Sequence, residues 1–187
     1  MRRLTVFNSV TLDGYFTGAN GDLSWAHQPE QDPEWNAFVD ENAKGGGTLL
    51  FGRVTYEMMV SFWPTPDAAR NFPVVAAGMN KAAKVVFSKN LKNASWNNTK
   101  LVSGDLVAEV RKMKKESGQD MTILGSGSIV SQLTDARLID AYQFALTPVV
   151  IGNGKTMFDG VKEKLNLKLT SSRTFANGRV VLTYEPV

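Results

Sequence analysis

The chain has 187 residues and a formal net charge of +3, with 43% hydrophobic and 21% charged residues. The length suggests one domain, 1–187, with two small domains as the alternative, and the proportions are those of a folded globular protein and exclude a chain disordered throughout. Cysteine is absent and histidine occurs once, which argues against disulfides and metal centres, and the scattered lysines and arginines form no basic stripe of the kind that nucleic acid requires.

In chain order, the opening MRRLTVFNSV has two arginines but no apolar run long enough for a signal peptide. No stretch approaches the roughly 20 apolar residues of a membrane span, so a cytoplasmic protein without a membrane partner is expected. Residues 4–12 are apolar and β-branched, stopped by Asp13-Gly14, and predict a buried strand. A turn-rich loop follows at 18–22. Asp32 as N-cap and Pro33 in the first turn start a helix that shows Trp35, Phe38 and Val39 on one face and ends at three glycines, 45–47. His27, before it, reads as a loop residue, with no carboxylate or serine at a triad-like spacing.

Strand 48–51 passes directly into helix 55–62, which the run from Trp63 to Pro66 breaks. Further strands are predicted at 83–87, 99–102, 121–124 and 138–146, with helices at 106–115 and 129–133. The cluster 111–115 reads as a solvated helix face. Two strand-like runs flank Ala176-Asn177-Gly178, and Asn-Gly supplies the positive φ angles of a tight hairpin. Strands alternating with helices imply a mostly parallel sheet covered on both faces, and the hairpin makes it mixed.

Two strand-to-helix junctions can carry chemistry: Gly52-Arg53-Val54-Thr55 and Gly125-Ser126-Gly127-Ser128. A helix N-terminus offers unmet N–H groups and a positive dipole end. Glycine admits an anion close to the backbone, hydroxyls add donors, and arginine adds a fork matched to phosphate oxygens. Both junctions fall at the carboxyl edge of the strands, where parallel sheets bind ligands. Two such sites suit a ligand with more than one phosphate, such as a dinucleotide; the plainer alternative is a pair of tight turns with a surface arginine. The Gly125 loop is not a Rossmann fingerprint, because Val130 stands where the third glycine belongs. Ser88-Lys89, after another strand, can hold a ribose phosphate and so favour NADP over NAD, or form a turn with an exposed lysine. Asp13 can orient a substrate or a proton, or simply make an Asp-Gly turn, and Glu34 can face the cleft or complement its helix dipole. No G-x-S-x-G elbow is present, which weakens a hydrolase reading.

Five segments in this order, SVTLDGYFTGANGDLSW (9–25), LLFGRVTYEMM (49–59), VVFSKNL (85–91), ILGSGSIVSQL (123–133) and LIDAYQFALTPVVIGNGKTMF (138–158), resemble the dihydrofolate reductase-like superfamily. The likeness is greatest to stand-alone relatives of the C-terminal reductase domain of the riboflavin biosynthesis deaminase-reductase. The resemblance implies a three-layer α/β/α fold with a mixed, mostly parallel sheet and a C-terminal hairpin, a homodimer, and NADPH as cofactor. It places Val10 and Thr11 by the nicotinamide through their backbone and Trp25 on the cofactor side. Gly52, Arg53 and Thr55 match the pyrophosphate-side loop, Ser88 and Lys89 the 2′-phosphate segment, and Gly125, Ser126, Gly127, Ser128 and Ile129 the glycine loop. Asp13 matches the acidic residue of an S-x-D-G motif beside the substrate, and Glu34 lies near the carboxylate that folate reductases place early in their first helix.

The implied activity is hydride transfer to a small heterocyclic substrate, pteridine- or pyrimidine-like, with the proton from Asp13, Glu34 or a water held by Asp13. Two alternatives stand beside it: an NADP(H)-binding protein of the same fold without turnover, and a structural module that binds no nucleotide. No clear basic pair is available to grip a substrate ribose phosphate.

Overall fold

The structure, a computed structural model, describes residues 1–26 and 32–187. His27 lies outside the described residues. The strands are β1 (Leu4–Thr11), β2 (Tyr15–Thr17), β3 (Thr48–Gly52), β4 (Ala83–Phe87), β5 (Thr99–Val102), β6 (Met121–Leu124), β7 (Ala141–Thr147), β8 (Lys155–Thr156), β9 (Leu167–Thr174) and β10 (Val180–Pro186). The helices are α1 (Pro33–Lys44), α2 (Arg53–Phe62), α3 (Pro66–Asn71), α4 (Pro73–Lys81), α5 (Leu106–Lys115) and α6 (Gly127–Asp135).

Eight strands form one sheet in the order β5-β4-β3-β6-β1-β7-β10-β9. The six from β5 to β7 are parallel, and the hairpin β9–β10 joins them antiparallel through β10 and β7. This is the mixed sheet with a terminal hairpin that the sequence predicts. Alternation divides β1 between two layers. Leu4 and Val6 point into a core with Val110 and Met113 of α5 and Ile129, Val130 and Leu133 of α6. Phe7 points the other way, towards Trp35 and Phe38 of α1. On that second face Tyr56 of α2 and Met79 of α4 meet Phe51, Val86 and Trp96.

Asp32 caps α1 as predicted, accepting from the N–H groups of Glu34 and Trp35. Helices α3 and α4 fill a stretch where the sequence offered only a break after Trp63. Thr65 caps α3, and Pro66 and Pro73 each open a helix rather than end one. Gly78 lets α4 reach α1, since a Cβ there would lie 2.5 Å from the Ala43 carbonyl oxygen. A small two-stranded sheet, β2 with β8, stands apart from the main one. No helix among the described residues is long and apolar enough to cross a membrane.

Candidate functional site

Because β1, β3, β4, β6 and β7 are parallel, Thr11, Gly52, Phe87, Leu124 and Thr147 all end at one rim of the sheet. β3 and β6 are direct neighbours, so the helices that follow them begin side by side. The two loops are joined by hydrogen bonds. The Gly52 N–H donates to Ser126 Oγ at 2.9 Å, and the Ser126 N–H donates to Thr55 Oγ1 at 3.0 Å. Ser126 Oγ in turn donates to the Leu124 carbonyl at 3.0 Å.

Gly125 and Ser126 are both left-handed, with φ of 57° and 62°. The first position has no room for a side chain: a Cβ on Gly125 would lie 2.8 Å from Thr55 Cγ2. Ile129 is buried against Gly52, and Gly127 faces Phe16.

The helices differ at their N-termini. Asp32, Thr65 and Asp105 cap α1, α3 and α5 with side-chain oxygens. Among the described residues no side chain caps α2 or α6. Their first turns therefore begin with backbone donors without a side-chain cap, beside the bonds that join the two loops. Helix α4 also lacks a side-chain cap, but Pro73 in its first turn has no N–H to satisfy.

The other rim residues take distinct roles. Arg53 is exposed and pairs with Glu57 one turn along α2, at 2.7 Å. The Ser88 hydroxyl accepts from the N–H groups of Asn90 and Leu91 and closes a turn, with Lys89 exposed beside it. Val10 is half-buried at the end of β1, and Thr11 is fully buried and accepts from the Tyr15 N–H. Trp25 is buried, and its indole Nε1–H meets no acceptor among the described residues. Ser128 opens the first turn of α6, with its carbonyl accepting from the Gln132 side chain.

Asp13 is exposed at the turn after β1 and holds the loop after β7 by accepting from the N–H groups of Ile151 and Gly152 at 3.1 and 2.8 Å. The Thr11 hydroxyl foremost, and those backbone donors with it, keep its carboxyl below the usual carboxylate range against the opposing cost of burial. The Asp13 carboxyl is therefore held in its ionised form at neutral pH. Glu34 sits in the first turn of α1 but is exposed and paired with Arg173 at 2.8 Å.

Two residues at this end escaped sequence reasoning. Asn8, buried in β1, bonds to both the N–H and the carbonyl of Gly125. Arg179 is fully buried, lies 4.8 Å from the Trp35 ring centre, and donates to Thr147 Oγ1 and the Ala26 carbonyl. The signal for Asn8 was present, because the alternation Leu4, Val6, Asn8 puts an amide at an inward position. Among the described residues no three His, Cys, Asp or Glu side chains gather as a metal site. Two shallow cavities lie elsewhere, one of about 280 Å³ between Thr134, Phe158 and Leu167, the other of about 270 Å³ beside Arg2 and Lys114.

This sheet order, with paired loops at the carboxyl rim and a terminal antiparallel hairpin, defines a dihydrofolate reductase-like fold. Dihydrofolate reductase from Enterococcus faecalis, solved with NADP(H) and RAB-propyl, superposes with a TM-score of 0.64 at 16% identity, covering 98% of this chain and 96% of that one. A candidate riboflavin biosynthesis protein from Shewanella sp. PV-4 reaches a TM-score of 0.75 at 21% identity over 99% of both chains. The model of the RibD C-terminal domain matches residues 2–181, and the chain belongs to that family. Among curated proteins, the uncharacterized protein YyaP of Bacillus subtilis strain 168 is 29% identical over 183 residues, 98% of this chain and 94% of its own.

Proposed function

We propose that the protein is an NADPH-dependent reductase of a small heterocyclic, pteridine- or pyrimidine-like substrate, working as a cytoplasmic homodimer. One observation carries the reading: the bonds between Gly52 and Ser126 and between Ser126 and Thr55 set two uncapped helix N-termini beside each other. Two adjacent positive dipole ends without side-chain caps fit a pyrophosphate better than a single phosphate.

The donor set suits this cofactor. Backbone N–H groups of the first turns of α2 and α6 would hold the pyrophosphate, and Arg53 would leave or share Glu57 to reach it. The hydroxyls of Thr55 and Ser126 keep the two loops in register, since both are engaged within the protein. Ser88 and Lys89, at the end of β4, would take the adenosine 2′-phosphate. Val10 and Thr11 end the strand beside β6 and would border the nicotinamide through their backbone.

The bound nicotinamide would supply a hydride to a C=N or C=O carbon of the substrate. This chain would hold the reacting rings in line and manage the proton. Asp13 stays ionised and so acts as an acceptor that positions a water, rather than as the acid itself.

The ionised Asp13 and the paired Glu34 also favour a second reading, an NADP(H)-binding protein without turnover. A homodimer is supported by a half-buried apolar strip on one face of β7 and β10, formed by Phe144, Leu146, Val180, Leu182 and Tyr184. Light scattering tests the dimer.

Fluorescence titration with NADPH, followed by NADPH oxidation against pterins, pyrimidines and small carbonyls, tests the rest. Binding with turnover is expected. Binding without turnover would favour the second reading, and no binding would overturn both. Lys89→Ala is expected to weaken NADPH by about ten-fold, the scale of one charged hydrogen bond, and NADH little. An equal loss for both would remove Lys89 from the 2′-phosphate.

A further inference from the structure

We infer that Asn8 is a positioning residue that holds the Gly125 loop in the shape needed to receive an anion; this rests on the cofactor reading above. Positions 4, 6 and 8 of β1 point into the same core, where Leu4 and Val6 are fully buried and Asn8 is 8% exposed. A carboxamide at such a position is costly unless its hydrogen bonds are met. Here they are met by one residue on another strand end. Asn8 Oδ1 accepts from the Gly125 N–H at 2.6 Å, and Asn8 Nδ2 donates to the Gly125 carbonyl at 3.3 Å. Nδ2 also lies 3.6 Å from Met157 Sδ.

This two-point grip falls where the backbone needs it. Gly125 and Ser126 are consecutive left-handed residues, and Ser126 is not a glycine. A side chain pays about 1–2 kcal/mol in that conformation. Thr55 closes the loop from one side, where it touches the Cβ direction of Gly125, and Phe16 and Met157 close it from the other at Gly127. Asn8 fixes the remaining side, from beneath, by satisfying both polar groups of the Gly125 backbone. With those groups tied to Asn8, the helix α6 begins two residues later from a fixed backbone and without a side-chain cap. Asn8 touches no proposed ligand atom; it sets the orientation of the donors that do.

The test compares two ligands on the full chain. NADPH carries a pyrophosphate and a 2′-phosphate, whereas 2′-AMP carries only the latter, at Ser88 and Lys89. Asn8→Ala and Asn8→Leu are titrated with both, the leucine variant keeping the volume of the side chain. Both variants are expected to bind NADPH about ten-fold or more weakly, on the scale of a lost pair of buried hydrogen bonds, and to bind 2′-AMP within about two-fold of the parent. Parallel loss of both ligands would show a general structural role and overturn the inference. Wild-type NADPH affinity in Asn8→Leu would overturn it too, because volume alone would then suffice. If the parent protein itself fails to bind NADPH, the cofactor reading falls before any variant is made, so the two failures are distinguishable.

Discussion

The two rims of the sheet differ in how many of their cations are engaged within the protein. At the amino rim the ions serve the fold. Lys114 donates to the Leu138 carbonyl and pairs with Asp140, which also accepts from the Leu4 N–H. Arg3 pairs with Glu185, and its N–H donates to Asp120. Arg2 reaches Thr48 and the Gln119 carbonyl. At the carboxyl rim, hydroxyls, the Asn8 amide and the exposed Asp13 carboxylate brace the loops, while Arg53 and Lys89 are exposed beside two helix starts whose N-cap residues make no side-chain bond.

The sharpest way to break this contrast is at the point where the loops touch. Gly125→Ala adds a Cβ 2.8 Å from Thr55 in a left-handed residue. It is expected to cost about 2–5 kcal/mol of stability, from the left-handed penalty and overpacking together, and to abolish NADPH binding. Urea unfolding and fluorescence titration measure the two effects, and retained tight binding would separate the Gly125 loop from the cofactor.

A substitution at each rim sharpens the comparison. Lys114→Ala removes a largely buried ammonium from a carbonyl and a carboxylate and is expected to cost about 1–3 kcal/mol of stability with no change in NADPH affinity. Arg53→Ala is expected to do the reverse. It loses only an exposed ion pair, worth under about 1 kcal/mol, but weakens NADPH by about 1–3 kcal/mol. Thermal melts and titrations of both variants would contradict the account if the two showed the same pattern.

The smallest effect concerns a buried cation at the start of β4. Lys84 is 1% exposed, donates to the carbonyls of Asn80, Ala82 and Asn97, and lies 4.4 Å from the Trp96 ring centre. Burial lowers its ammonium from the ordinary 10.5 to about 8. Between those values the unfolded chain binds a proton that the folded chain has released, so Lys84 makes stability rise with pH across that window and flat below it. Lys84→Met should lack this rise when unfolding is followed from pH 7 to above pH 10. An identical pH dependence in both proteins would mean that the carbonyls and the ring hold the proton on Lys84 in spite of its burial.

What the sequence revealed follows from which forces are local. Helix α1 was legible from Asp32 and Pro33, and α5 from the inward spacing of Val110 and Met113, because caps and periodicity act within a few residues. Helices α3 and α4 were not, because Pro66 and Pro73 resemble breaks until the caps and the approach of Gly78 to α1 are seen. The pairing of β2 with β8 joins residues more than a hundred positions apart, in strands of three and two residues. At the rim, the glycines and Arg53 could be picked out by residue type and position. The inward engagement of the Thr55 and Ser126 hydroxyls, the ion pair of Glu34 and the grip of Asn8 on Gly125 all depend on partners set by the sheet order, which the spacing of residues along the chain does not encode.

On the reading proposed above, the loops after β3 and β6 hold one polyanionic ligand between them. Backbone hydrogen exchange with and without NADPH tests it directly. Slowed exchange is expected in the first turns of both α2 and α6, with Arg3, Leu4 and Asp140 at the amino rim unchanged. Protection of only one of the two helix ends, or of the amino rim instead, would contradict it.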